Sequence, residues 1–477
     1  MFKNIFWDVL ARLGGQLIAF FVSIVLTRLV TPEEYGVMGM ALAIGGFANV
    51  FLDAGFRNAI VQSQTVTQRQ YSSVFYTNLG IALGLGAVCF LSADFLSDFL
   101  HHPKIRPVCQ LLSLNFILSG LNVVPGAILY KRMSFKISSL ISLVAAFCSG
   151  LTGIIMAVNG YGVWSLVWQL LANSLVVTAL SWFYARWQPA LAFSVRELKP
   201  LWQYGSRLFT ASLLEVVFTR ADVFFIGRMF TPAVLGYYGR AQGMDNIVRQ
   251  LSAGSLMNVL FPYIAKNQND KGMLSVIFVR CLHIIMFVSI GLSFALYLTA
   301  RPLFEVLFTA RWDPAARIFQ VLSLAGFAWP VSSLMCALLS AVGNSKAFLR
   351  AEIYKKVVFV VIYITGLGLG LMSFIWLLMA GYYIAVMINA SYVAAEIEVS
   401  VWRQMVVILQ YLLLGLFSLG LSMAGAQLVP AYWWFWLPPL VSVLLFSSIY
   451  YLLVVMLKLP GKEFIHLASQ KFRKKND

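Results

Sequence analysis

The sequence predicts an all-α polytopic membrane protein with about fourteen transmembrane helices, grouped as two six-helix lobes followed by two additional helices. Three observations carry this prediction: the bulk composition, the spacing of the apolar stretches, and a resemblance of the chain to itself at an offset of about 200 residues.

Of the 477 residues, 60% are apolar and only 11% are charged, and the mean hydropathy is +0.82. A soluble domain is about half apolar and a quarter charged, so a water-soluble fold is excluded. Each span uses about 20 mostly apolar residues, which leaves no stretch for a soluble catalytic domain. The excess of 35 Lys and Arg over 18 Asp and Glu would point to nucleic acid in a soluble protein. In a membrane chain it belongs first to topology, and no nucleic-acid partner is expected. Cys89, Cys109, Cys148, Cys281 and Cys336 are scattered through apolar segments without a CxxC spacing, so they read as small core hydrophobes rather than as a metal site or disulfide framework. His101, His102, His283 and His466 form no metal or triad pattern. The first apolar run has no small-residue cleavage site after it and reads as a retained span.

Breaks at Pro, Gly and charge clusters delimit apolar stretches near 7–30, 36–61, 75–98, 107–130, 136–158 and 161–185, then 200–228, 233–262, 273–298, 314–342, 348–371, 373–395, 404–427 and 432–457. The expected organisation is an N-terminal six-helix lobe over 1–185, a cytoplasmic linker over 186–199 carrying Arg186, Arg196 and Lys199, a C-terminal six-helix lobe over 200–400, two further helices over 401–457, and a basic tail over 458–477.

Trp7, Arg12, Arg28, Thr31, Pro32 and Gly36 recur as Trp202, Arg207, Arg228, Thr231, Pro232 and Gly236. Both copies enter the membrane from the same side, so this is a parallel repeat, a plan used by transporters that bind substrate between their halves. With the N-terminus inside, about twenty-two Lys and Arg fall on the cytoplasmic side, about seven outside and about six within spans, so both termini are expected in the cytoplasm. Lys131, Arg132, Lys136 and the tail Lys471, Arg473, Lys474 and Lys475 are on the inner side, and Lys104, Arg106, Arg301 and Arg311 on the outer.

Charges within spans are the candidate functional residues, because an ionised side chain at the bilayer centre costs on the order of 2.5–3.5 kcal/mol and needs a cavity, a partner or an interface. In the first span Asp8, Arg12, Gln16, Ser23 and Thr27 share one helical face, read either as a polar wall or as an Asp8–Arg12 pair near the surface. Asn49, Asp53 and Arg57 form a row near an interface. In the seventh, Arg207, Glu215 and Asp222 share a face and Arg220 projects elsewhere; in the eighth, Gln242, Asp245, Asn246 and Arg249 share a face, with Arg240 nearer the outer interface. Arg249 reads as a cavity residue or as the partner of Asp245. Excess arginine fits an anionic substrate, since guanidinium grips phosphate with a two-pronged fork. The candidate substrate residues are therefore Arg12, Arg207, Arg220 and Arg249, and Asp222, Glu215 and Asp245 are candidate coupling groups. Trp164 and Trp168 are candidates for sugar stacking, and Tyr432 to Trp436 reads as an outer aromatic belt. No catalytic residue, metal ligand or cofactor is expected.

The stretches Leu26–Gly36 (LTRLVTPEEYG), Gly55–Leu79 (GFRNAIVQSQTVTQRQYSSVFYTNL) and Arg220–Ala265, with its IGR, LGYY and LFP elements, resemble the polysaccharide transport family of the multidrug, oligosaccharidyl-lipid and polysaccharide exporter superfamily. The branch is that of the colanic acid and teichuronic acid exporter-like flippases, and the likeness covers roughly the first 350 residues. The resemblance implies a V-shaped two-lobed flippase in the bacterial inner membrane. It would carry undecaprenyl-diphosphate-linked oligosaccharide repeat units from the cytoplasmic to the periplasmic leaflet by alternating access, for exopolysaccharide or lipopolysaccharide O-antigen synthesis. Implied partners are the lipid-linked oligosaccharide, the phospholipid bilayer, a polysaccharide polymerase and a chain-length regulator. The alternatives are a multidrug exporter of the same superfamily, which should show an acidic cavity, a membrane polymerase or ligase, which needs larger outer loops than 98–106 and 300–313 offer, and a membrane scaffold, which leaves the buried charges unexplained.

The orientation is testable at Ser134, between Lys131 and Lys136. A single cysteine placed there in a cysteine-free chain should stay unlabelled when intact spheroplasts meet an impermeant maleimide, and strong labelling from outside overturns the topology.

Overall fold

The computed structural model describes residues 2–53, 55–247, 249, 270–342, 345–427 and 437–460. The side chains of residues 2–13, Arg12 among them, and that of Arg207 lie outside the description. So do the aromatic run 432–436, the tail with His466, and the LFP element. Every regular element among the described residues is helical. That is the outcome hydrocarbon imposes, because a helix bonds its own backbone where no water is available.

Contacts divide the chain into two compact units, Met1–Gly239 and Arg240–Asp477. The first contains α1 (Phe2–Leu29), α2 (Pro32–Asp53), α3 (Phe56–Gln62), α4 (Gln68–Leu91), α5 (Ala93–Phe99), α6 (Ile105–Lys131), α7 (Phe135–Val158), α8 (Val163–Ala185) and α9 (Val195–Met229). Here α7 packs between α1 and α8, α6 packs between α4 and α8, and α2 lies between α6 and α9. Small residues bring these helices close, the usual device where lipid supplies no hydrophobic drive between them. A Cβ on Gly120 would press on Ala82, and one on Gly150 on Val22. The repeat assigns α9 to the second copy, yet α9 also packs along α2, α3 and α4 of the first. Duplication and contact are thus two different divisions of the same chain.

The turn joining the first two helices of each copy is built the same way. Val30 N–H donates to the Leu26 carbonyl and Phe230 N–H to that of Ile226; Tyr35 and Leu235 N–H donate to Thr31 and Thr231. Pro32 and Pro232 start the next helix, α2 and α10 (232–247), at the position where a missing N–H costs nothing. In the first copy a capping box is complete, since Glu34 accepts from Thr31 N–H at 3.0 Å and donates its own N–H to Thr31 Oγ1 at 3.3 Å. The second copy has Val234 in place of the glutamate.

The second unit continues with α11 (Lys271–Phe308), α12 (Asp313–Leu324), α13 (Ala328–Ala341), α14 (Ser345–Gly366), α15 (Leu371–Glu396), α16 (Val401–Ala426) and α17 (Leu437–Met456). Its core joins Phe278, Ile285, Ile290 and Phe294 of α11 to Leu334 and Leu338 of α13, Ala390 of α15, Tyr411 of α16 and Phe446 of α17. The expected single span near 314–342 is broken, with α12 and α13 bent by 43°. Pro330 has no N–H for the carbonyl of Gly326, and Gly326 lies against Ser293 of α11, where a side chain would not fit.

Among the described residues nine helices are long and apolar enough to cross a membrane, or ten if the bent pair is one span. Four further expected stretches fall short for identifiable reasons. The first begins in side chains that are not described, and 233–262 runs into residues that are not described. The other two, α9 and α14, are too charged: α9 carries Arg207, Glu215, Arg220, Asp222 and Arg228, and α14 carries Lys346, Arg350, Glu352, Lys355 and Lys356.

The helix packing predicts a contrast on α16. A Cβ on Gly415 would lie 2.5 Å from Ile290 and 2.7 Å from Phe294, whereas at Gly420 nothing lies within reach. Gly415→Leu should cost about 1–3 kcal/mol by overpacking and lower the thermal midpoint of the detergent-solubilised protein, and Gly420→Leu should leave it unchanged.

Candidate functional site

Sequence reading singles out α9, and its surroundings define a site within the first unit. The helix is fixed along α2 and α3 by aromatic pairs, Phe224 on Phe47 (ring centroids 5.6 Å apart), Phe209 on Phe51 (5.1 Å) and Trp202 on Phe56 (5.6 Å). At the α2–α3 break Gly55 takes φ of 72°, and its Cα sits against the backbone of Gly205, where no side chain fits.

Between these contacts a cavity of about 180 Å³ opens, lined by Gly45, Gly46 and Asn49 of α2, by Asn115 and Phe116 of α6, and by Arg220 of α9. Gly46 makes room for the arginine: a Cβ there would come within 3.4 Å of Arg220 Nε. Asn115 is held by Ser174 of α8, whose hydroxyl donates to Asn115 Oδ1 at 2.5 Å. The lining thus offers one guanidinium and two amides, with no carboxylate. Such a set binds an anion or sugar hydroxyls and has nothing to neutralise a cation. At about 180 Å³ the space is below the roughly 300 Å³ at which drug-sized pockets begin. It fits a phosphate or one sugar, not a whole lipid-linked unit.

The other candidates occupy different surroundings. Asp222 is only 5% exposed, and its carboxylate accepts from Tyr238 Oη at 2.7 Å and from Val223 N–H at 2.8 Å. Glu215, on the same helical face, is exposed, so the two acids do not gather at one opening. Arg207 is placed only as backbone on α9 and Arg12 only as backbone on α1. Trp168 is exposed and Trp164 half-buried on α8. Asn49 joins the cavity, whereas sequence spacing groups it with the interfacial Asp53 and Arg57.

In the second unit Arg249 donates through Nε to Asp245 at 2.6 Å, with 14% and 2% of the two side chains exposed, and its guanidinium lies 5.0 Å over the Tyr382 ring. Of the two readings of Arg249, this is the ion-paired one. Arg240 lies 5.0 Å over Phe308 and 5.8 Å over Trp312. Several polar contacts have no sequence signature, because their members are far apart in the chain. Arg228 Nη1 donates to His101 Nδ1 at 3.2 Å, His102 Nε2 meets Glu33 at 3.2 Å, and His283 Nδ1 meets Tyr411 Oη at 3.2 Å. The Lys355–Glu352 pair sits beside Cys336. No cluster of three or more metal-ligating side chains occurs among the described residues.

A bundle of apolar helices long enough to cross a bilayer several times is a multi-pass membrane protein by fold. The structure is similar to that of the lipid II flippase MurJ in its inward closed conformation, with a TM-score of 0.75 at 14% identity over 94% of this chain and 99% of that one. It is also similar to an inward-facing multidrug resistance MATE family transporter of the MOP superfamily, at 0.60 and 15% over 80% and 95%. Residues 25–317 match the polysaccharide biosynthesis protein family, and the chain belongs to it. Relatives include the succinoglycan biosynthesis transport protein ExoT of Rhizobium meliloti (strain 1021), 24% identical over 79% of this chain and 71% of the relative. Another is the lipopolysaccharide biosynthesis protein WzxC of Escherichia coli (strain K12), 23% identical over 72% and 70%.

The paired state of Arg249 predicts non-additivity. Asp245→Leu leaves a buried cation without its carboxylate and should cost about 3–5 kcal/mol, and adding Arg249→Met should recover most of that loss. Thermal unfolding of the four members of the cycle measures the coupling.

Proposed function

We propose that this chain is a flippase that moves undecaprenyl-diphosphate-linked oligosaccharide repeat units from the cytoplasmic to the periplasmic leaflet of the bacterial inner membrane by alternating access, supplying exopolysaccharide or O-antigen synthesis. Family membership and the transport and lipopolysaccharide biosynthesis relatives support it, and the fold shared with a lipid II flippase agrees. The observation that carries it is the cavity, whose one charged side chain is Arg220. A multidrug exporter for cations needs an acid in that place. Translocation makes and breaks no covalent bond, so the protein acts as a transporter and hands its product to a polymerase and a chain-length regulator.

On this reading both termini are cytoplasmic, following the Lys and Arg distribution. Arg220 holds a phosphate of the carrier or its first sugar, with Asn49 and Asn115 as hydrogen-bond partners. Arg12 and Arg207, placed as backbone on α1 and α9, are further candidates for contact with the anionic carrier. Arg249 is satisfied by Asp245 and Tyr382, so its part is to hold α10 to α15. Of the coupling candidates, Asp222 and Asp245 are bonded to Tyr238 and Arg249, and Glu215 is exposed.

The decisive substitutions are at Arg220. Arg220→Ala removes charge and fork, and Arg220→Lys keeps the charge alone. Both should cause lipid-linked repeat units to accumulate on the cytoplasmic leaflet, Ala by about tenfold or more, as expected for loss of a charge-assisted contact worth about 1.5–3 kcal/mol. Folded protein in the membrane is measured alongside. A well-expressed Arg220→Ala protein that accumulates no substrate and sustains normal surface polysaccharide overturns the assignment.

A further inference from the structure

The repeated motif Thr-Pro-x-x-x-Gly, residues 31–36 and 231–236, meets itself in the folded chain. A Cβ on Gly36 would fall inside the Pro232 carbonyl, and a Cβ on Gly236 would fall inside the Pro32 carbonyl and lie 3.2 Å from Gly36 N. The contact is reciprocal: position 32 touches 236 and position 232 touches 36, the pattern of a two-fold axis between the copies. What meets is backbone against backbone, Cα against carbonyl, with no side chain between. The glycines at Gly120, Gly150 and Gly415 differ, since a Cβ there would overlap side chains of helices in their own neighbourhood.

Apolar and polar contacts surround this point. Gly227, just before the second motif, would place a Cβ 3.2 Å from Met40 Cγ of α2, and Gly39 would place one 3.7 Å from Leu235 Cδ2. Two histidines of the α5–α6 connection tie one copy each: His102 meets Glu33 at the start of α2, and His101 accepts from Arg228 at the end of α9, whose guanidinium also lies 5.1 Å over Phe99.

We propose that the outer closure of the translocation path is this reciprocal backbone contact, and that Gly36 and Gly236 set how far the chain populates the outward-closed form. A seal of this kind suits a reversible gate. It forms by shape alone, through many weak contacts with no interlocked side chain to release, and it tolerates no added atom. Alanine at either position therefore removes closure without removing a charge or a ligand contact. The inference uses the proposed orientation to name the end as outer and the flippase reading for its transport arm, but its cross-linking arm needs neither.

The test is a cysteine pair across the seal. In a chain whose native Cys89, Cys109, Cys148, Cys281 and Cys336 are replaced, Gly39→Cys and Leu235→Cys put two thiols in contact. In native membrane vesicles copper phenanthroline should cross-link the pair readily, and the cross-link should stop flipping of lipid-linked repeat units until dithiothreitol reverses it. Adding Gly36→Ala or Gly236→Ala should slow cross-linking about tenfold by shifting the population toward the open form, whereas Gly80→Ala, at a position with open space around it, should not. Unchanged cross-linking in a membrane-resident alanine variant overturns the proposal. So does flipping that continues with the pair cross-linked, an arm that needs no change at Gly36 or Gly236 and holds if the alanine chains fail to fold. Slowed cross-linking in a protein that flips no oligosaccharide would uphold the seal and sink the flippase reading instead.

Discussion

Inside hydrocarbon a backbone N–H or C=O has no water to bond, and this one constraint shapes the rest of the chain. Among the described residues it makes each element a helix, and it brings two of the interruptions into close protein contact: Gly55 lies against Gly205, and Gly326 against Ser293. The same constraint governs charge. Asp245 has Arg249 and Glu352 has Lys355, each ion pair offsetting a burial cost of several kcal/mol per ion, and Asp222 accepts from Tyr238.

Against that background Arg220 is distinguished by where its charge points. It sits between α2 and α9 with two amides for company and a glycine opposite, in a space too small for a whole glycolipid. The aromatic pairs along α2 and α9, the Gly55–Gly205 contact and the Gly36–Gly236 contact place this small space midway along a closed seam. On the proposed function, a path for a bulky substrate requires the seam to part.

Much of this was legible in the sequence, and the reasons differ by feature. Composition and the spacing of apolar runs determine the membrane class because burial in lipid is a property of whole segments. Helix periodicity placed Arg249 and Asp245 on one face because i and i+4 always share one. The same periodicity put Glu215 with Asp222, yet one is exposed and the other buried, since a face says nothing about which neighbour covers each turn. The bend at Gly326 was hidden in an unbroken apolar run whose Pro330 was its one local sign. The cavity partners Asn49 and Asn115, and the ties from His101 and His102, depend on residues brought together from distant positions, for which a single chain carries no periodic signal.

The duplicated motif does more than mark two halves. A self-complementary contact, in which each partner offers the same patch to the other, is the kind that two identical chains make when they pair about a two-fold axis. The Gly36–Pro232 and Gly236–Pro32 contacts have that form within one polypeptide. Their geometry is therefore the one two copies of a single lobe would use to pair, now an internal contact of one chain. Within one chain the two patches are free to differ, and the Thr31–Glu34 cap that the second copy lacks shows where they do so.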